Sequence, residues 1–135
     1  MKYKFLEHTA DIKFQAFGTT LEKAFENSAL AMFNTMYSES VKNKIKKRIR
    51  VKGKDFENLL YNFLEELLFY LDSENFFLSK IKVKIDEKNL TLEAEAEGDE
   101  AKNYAIHLDV KAVTYNEMKV EKEKNKYACQ VVLDV

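Results

Sequence analysis

Apolar and polar positions alternate in short runs near both ends of the chain and recur at helical spacing in two longer runs between them. Tyr3 and Phe5 alternate with Lys2 and Lys4. Ile12, Phe14 and Ala16 alternate with Lys13, Gln15 and Phe17, so both stretches predict strands with one buried face. Gly18 ends the second strand, and Thr19 followed by Glu22 reads as a capping box for a helix. Leu21, Ala24, Phe25, Ser28, Ala31, Met32 and Met36 share one face, predicting a helix of about 17 residues that runs to near Tyr37. Asp55 is placed to cap a second helix, and the stripe Leu59, Leu60, Phe63, Leu64, Leu67, Leu68 and Leu71 makes it the main core helix. Glu65 and Glu66 are neighbours there and point about 100 degrees apart, which reads as a solvated edge rather than a carboxylate pair.

After a break at Asp72, Ser73, Glu74 and Asn75, Ile81, Val83 and Ile85 alternate with Lys80, Lys82 and Lys84. Asp86 to Asn89 form a turn, and Leu90, Leu92, Ala94 and Ala96 alternate with Thr91, Glu93, Glu95 and Glu97. This predicts a hairpin with one lysine-bearing and one glutamate-bearing outer face. A metal site on the glutamate row would need convergence that a flat strand face does not supply. Gly98 to Tyr104 reads as a polar loop, with strands near Ile106 to Tyr115, Met118 to Glu123 and Tyr127 to Asp134. The expected architecture is α+β, an antiparallel-rich β-sheet packed against two main helices in a single domain spanning residues 1–135.

Composition sharpens this picture in three places. Hydrophobic residues make up 46% and charged residues 33%, enough for both a core and a solvated surface, which argues against disorder. Twenty-two basic against 23 acidic residues leave a net charge of −1, so any pull on nucleic acid or an anionic membrane must be local. The strongest local stretch, Lys42 to Lys54, carries eight Lys/Arg and no acid, with Ile45, Ile49 and Val51 threaded through it. Its first reading is a solvated strand that resists edge-to-edge pairing; the alternative is a patch for RNA or an acidic partner, as in a small RNA-binding or chaperone-like module. Few aromatics interleave with it, which weighs against base stacking. No apolar run reaches the roughly 20 residues of a membrane helix and no signal peptide is recognisable, so the cytoplasm is the expected compartment, with no membrane partner. The single cysteine, Cys129, lies in an apolar strand and reads as a buried, inert thiol suited to a reducing compartment.

Candidate chemistry concentrates in the polar island of Glu7, His8, Thr9, Ala10 and Asp11, set between the first two strands. Terminal strands commonly meet in a small sheet, which would bring Asp11 to Asp134. Their carboxylates, with the α-carboxylate of Val135, are hard oxygen ligands of the type Ca²⁺, Mg²⁺ or Mn²⁺ prefers. The bland alternative is that both aspartates serve turns or caps. His8 could ligate a metal or shuttle a proton, but fixing the loop by hydrogen bonding is the favoured reading. His107 reads as surface or sheet-lining, and Lys111 as a lysine that either emerges on a solvent face or is held for an acidic partner. There is no Gly-rich phosphate loop, paired Cys or His ligand motif or Gly-x-Ser-x-Gly turn, so no standard enzyme constellation is present.

The order Phe5-Leu6-Glu7-His8-Thr9-Ala10-Asp11-Ile12, followed by Gly18, closely resembles the opening signature of the archease family. Val110-Lys111-Ala112-Val113-Thr114-Tyr115 and the terminal Val132-Leu133-Asp134-Val135 resemble two further blocks of that family, so the likeness runs from end to end. It implies a fold elaborated from a strand-helix-strand-strand module. It also implies a non-catalytic accessory protein of tRNA splicing that activates the RtcB-type RNA ligase, which joins tRNA halves. Activation means promoting ligase guanylylation and multiple turnover, with GTP and Mn²⁺ belonging to the partner ligase. The resemblance further implies a divalent cation, Ca²⁺ first with Mg²⁺ or Mn²⁺ as alternatives, bound through Asp11, Asp134 and Val135, with Lys111 and His8 functional beside them. One departure stands out: the family block commonly continues Thr-Tyr-His, whereas this chain has Thr114-Tyr115-Asn116, which keeps a hydrogen-bonding side chain and loses a titratable one.

Overall fold

In the computed structural model, which describes residues 1–7 and 11–135, seven strands and two long helices follow one another. They are β1 (Tyr3–Leu6), β2 (Ile12–Gly18), α1 (Leu21–Met36), β3 (Ile45–Lys52), α2 (Phe56–Glu74), β4 (Phe76–Asp86), β5 (Thr91–Glu100), β6 (Ala112–Glu123) and β7 (Lys126–Asp134). A short 3-10 turn, Ala101–Asn103, follows β5. The α+β class stands, but the strands divide between two antiparallel sheets: a four-stranded one ordered β1-β2-β7-β6 and a three-stranded one ordered β3-β5-β4. No helix among the described residues is long and apolar enough to cross a membrane.

Helix α1 starts one residue later than the capping-box reading predicts. Thr20, in extended backbone, is the N-cap, and its Oγ1 accepts a hydrogen bond from Lys23 N at 3.1 Å. Glu22 is thereby freed from capping and reaches strand β4 instead, where its Oε2 accepts from Ile85 N at 3.4 Å. All seven residues of the predicted apolar face are buried. Helix α2 has the predicted Asp55 cap, with Oδ1 accepting from Asn58 N at 2.7 Å. It runs through the predicted break to Glu74 and stops at Asn75, whose left-handed φ of 58° is one asparagine tolerates. Phe76 then opens β4 at once, four residues before the alternation with lysine becomes visible in the sequence.

Each helix touches strands of both sheets, and Phe25 of α1 stacks on Phe63 of α2, centroids 6.1 Å apart, inside a single buried cluster. Each helix also closes an open sheet edge with two glutamates. From α1, Glu26 Oε2 accepts from Val83 N (2.9 Å) alongside the Glu22–Ile85 bond. From α2, Glu57 Oε2 accepts from Val120 N (3.0 Å) and Glu65 Oε2 from Val113 N (3.4 Å). Glu65 is therefore not the solvated residue that its helical position predicts; it is half-buried and serves a strand edge.

Two further boundaries differ from the sequence pattern. Gly98 lies inside β5 rather than opening a loop, because a Cβ there would sit 2.0 Å from the Phe77 carbonyl oxygen where β4 bulges between Leu78 and Lys80. The two strands expected over 106–115 and 118–123 are one strand, β6, interrupted by a bulge between Thr114 and Lys119 in which Glu117 takes a left-handed φ of 55°. Residues 105–111 approach it without regular structure.

Candidate functional site

The two predicted aspartates flank the same rung of the four-stranded sheet. The β2–β7 ladder ends at Ile12 opposite Leu133; Asp11 immediately precedes Ile12 and Asp134 immediately follows Leu133. On the other side of β7, Asp134 pairs with Ala112, and its carbonyl accepts from Lys111 N at 2.8 Å. Antiparallel pairing of the chain's first long strand with its last thus gathers Asp11, Asp134 and the backbone of Lys111 at one sheet end. Asp134 is exposed, Asp11 and Val135 half-buried, and the Lys111 side chain faces solvent. His8 lies outside the described residues.

Hydrophobic anchoring fixes this end. Leu133 and Val131 are fully buried, Val113 and Val110 nearly so, and the strict alternation along β7 turns Asp134, Val132 and Gln130 to the opposite face. On that face Lys13 and Gln15 lie opposite Val132 and Gln130, with Asp11 next in the alternation of β2, and Glu117 of the β6 bulge reaches the same side. Lys13 Nζ pairs with Glu117 Oε1 at 2.9 Å, Gln15 Nε2 donates to Gln130 Oε1 at 2.9 Å, and Gln130 Nε2 donates to the Glu117 carbonyl at 2.8 Å. The Lys13 side chain is only 16% exposed, so its end of this ion pair is shielded from solvent. Sequence reasoning missed Lys13, Gln15, Glu117 and Gln130. Pleat alternation from Asp11 could have found the first two; Glu117 depends on the bulge.

The block around Tyr115 is also ordered. Its ring stacks on Tyr61 of α2 at 4.2 Å and 11°, and Asn58 donates to its hydroxyl, yet half of the residue stays exposed. Burial, together with the negative charge of Glu65, raises the Tyr61 pKa above its ordinary value. Asn116, where the sequence resemblance leads one to expect a histidine, is exposed, and its N–H donates to Thr114 Oγ1 at 3.3 Å. His107 is a surface residue whose N–H donates to the Met36 carbonyl at 3.2 Å.

As donors, Asp11 and Asp134 offer hard oxygens at one sheet end, the chemistry that suits Ca²⁺ or Mg²⁺. Among the described residues no group of three or more His, Cys, Asp or Glu side chains is arranged to hold a metal. Cys129 is fully buried in β7, and desolvation pushes its thiol up to about 12, as expected of an inert side chain.

Comparison with known proteins agrees with the three sequence blocks. Residues 3–135 match the model of the Archease protein family (MTH1598/TM1083). The protein archease of Sulfurisphaera tokodaii is 46% identical over 137 residues, covering 99% of both chains, and that of Sulfolobus acidocaldarius is 39% identical with the same coverage. The solution structure of Methanobacterium thermoautotrophicum protein 1598 superposes with a TM-score of 0.87 at 40% identity, covering 99% of each chain. A crystal structure of an archease from Thermotoga maritima, described as a possible chaperone, shares the fold at a TM-score of 0.63 and 20% identity, over 98% of this chain and 96% of that one. With the family model spanning nearly the whole sequence and near relatives aligned end to end, this chain belongs to the archease family.

Proposed function

We propose that this protein is a non-catalytic, cytoplasmic activator of an RtcB-type RNA ligase in tRNA splicing, working through the acidic end of its four-stranded sheet. The observation that carries the reading is that Asp11 and Asp134, far apart in sequence, flank one rung of the β2–β7 ladder. Asp11 and Asp134, with Val135 adjacent, would hold a divalent cation, Ca²⁺ first and Mg²⁺ or Mn²⁺ as alternatives. When bound, such a cation supplies a fixed positive charge and oxygen coordination.

The chain's own residues do the rest. The buried pair of Leu133 and Val131 holds β7 in register, so that the aspartates cannot drift apart. The Lys13–Glu117 pair ties the β6 bulge to β2 beside the strand end that carries Asp11. Exposed Lys111 and Tyr115, on the same family block, lie near this end and would meet the ligase, as His8 would from the polar island. The partner ligase supplies GTP, Mn²⁺ and the chemistry of guanylylation; this protein promotes repeated charging of the ligase and so its multiple turnover on tRNA halves.

The test is RNA ligation by a cognate RtcB-type ligase with GTP and Mn²⁺, in single and multiple turnover. Addition of this protein should leave a precharged single round unchanged and sustain later rounds. A competent ligase whose multiple-turnover rate is the same with and without the protein would remove the activator reading.

A further inference from the structure

The basic stretch 42–54 does not form an isolated charged strand. Residues of β3 pair with the glutamates of β5, which pair in turn with the lysines of β4, giving three rungs: Lys46–Glu97–Lys80, Arg48–Glu95–Lys82 and Arg50–Glu93–Lys84. These side chains share the outer, solvated face of the three-stranded sheet, while Ile49, Ala94, Ala96, Ile81 and Val83 turn inward. Six cations in two rows face a single row of three carboxylates, an excess of three positive charges on a chain whose net charge is −1. A fourth rung, Lys52–Thr91–Asp86, adds one charge of each sign.

The pairing on this face is loose. Arg48–Glu95 and Arg50–Glu93 are separated by 3.5 and 3.8 Å with side chains 65–88% exposed, so these pairs contribute little to stability. Lys46, Lys82 and Lys84 have no ion-pair partner among the described residues. Arg48, Arg50, Lys82, Lys84, Glu93 and Glu95 line a shallow depression. None of the large exposed hydrophobic residues, Met1, Phe5, Phe69 and Tyr115, lies on this face, so it offers no exposed aromatic on which bases could stack.

We infer that this face is a docking surface for the backbone of A-form RNA duplex. The two basic rows stand about 10 Å apart, two strand spacings, and repeat about every 7 Å along the strands, a spacing suited to two phosphate rows. Between them the glutamate row repels phosphate, but its oxygens accept hydrogen bonds from 2′-hydroxyls, which RNA displays in its shallow minor groove and DNA lacks. The residues involved are different from Asp11 and Asp134, and the assay contains no ligase, so this surface and the activator reading can fail separately.

The experiment is fluorescence anisotropy of the full chain with a labelled RNA duplex of about 16 base pairs. Contact with about four phosphates should make binding about 100-fold weaker at 200 mM than at 50 mM salt. The variant Arg48→Ala/Arg50→Ala/Lys82→Ala/Lys84→Ala should lose this binding and its salt dependence, whereas Lys2→Ala/Lys124→Ala should not. Glu93→Ala/Glu95→Ala, which removes the acceptors, should bind DNA duplex nearly as well as RNA, where the unaltered protein prefers RNA. Circular dichroism melts establish that each variant is folded. Unchanged RNA affinity in the fourfold variant, equal affinity of the unaltered protein for the DNA duplex, or retention on poly-glutamate without RNA binding overturns the inference.

Discussion

The carboxylate of Glu26 on α1 accepts a hydrogen bond from the backbone N–H of Val83 at 2.9 Å, although the two residues belong to different elements and Glu26 is only 7% exposed. A buried acid in a helix lined mostly by Leu, Ala, Phe and Met looks misplaced until the β4 edge is considered. Strand β4 pairs with β5 on one side only, and its remaining N–H groups would be orphaned under the helix. Hydrogen bonds to charged groups contribute about 1.5–3 kcal/mol, so Glu26→Ala should cost about that much stability in urea unfolding, and Glu26→Gln, which keeps an acceptor, less. An alanine variant as stable as the parent would show that the edge is satisfied in some other way.

Acid sensitivity should be traceable to Asp99. This residue is 4% exposed, and its carboxylate accepts from Tyr104 Oη (2.7 Å), Glu100 N (2.8 Å) and Asn103 Nδ2 (3.4 Å). Those bonds, that from Tyr104 foremost, hold its pKa below the ordinary value. A lowered pKa means the stabilisation is present above the unfolded aspartate value of about 3.9 and is lost as pH falls through the lower folded one. The parent should therefore lose stability more steeply than Asp99→Asn as pH falls below the ordinary aspartate value of about 3.9. Parallel acid limbs in the two proteins would contradict this assignment.

Cys129 should resist thiol reagents in the native state. It is fully buried, with its pKa raised to about 12 by desolvation, so almost no thiolate is present near neutrality. Labelling by a chromogenic disulfide should proceed only at the rate of unfolding and accelerate in urea. Because the folded pKa is raised, the thiol's contribution to stability is whole below the ordinary thiol pKa and declines as pH rises towards about 12. Fast native labelling would mean that β7 opens locally.

The Asp11–Asp134 pair should bind a hard divalent cation in preference to a soft one. Calcium titration monitored by calorimetry should show a single site that is weakened at least tenfold by either Asp11→Ala or Asp134→Ala, while thermal unfolding of the cation-free variants stays near that of the parent. Calcium binding that survives both substitutions places the site elsewhere.

Faces were more legible than partners. The buried stripe of α1 and the lysine and glutamate rows of the β4–β5 hairpin follow from periodicity, because solvent decides which side chains turn inward. Periodicity does not say which strands pair, so the division into two sheets and the placing of β3 beside the same glutamates as β4 were not visible. Asn116 looks like the end of a strand, yet Gln130 anchors the Glu117 carbonyl and the strand resumes beyond a bulge, a long-range contact with no local signal. The α1 cap was misread by one residue because Thr19 and Thr20 are equivalent as capping side chains. Three family blocks made Asp11 and Asp134 the candidates, and antiparallel pairing of β2 with β7 supplies their proximity; His8, which belongs to the first block, lies outside the described residues.

The most direct measurement is the number of ligation rounds completed per ligase molecule in the presence of the parent, Asp11→Ala or Asp134→Ala, each verified as folded by its unfolding transition. If the acidic sheet end drives activation, the parent sustains many rounds, while either variant leaves the ligase near one round with single-turnover ligation intact. If both variants sustain turnover as well as the parent, the carboxylates have no part in activation and the central claim is wrong.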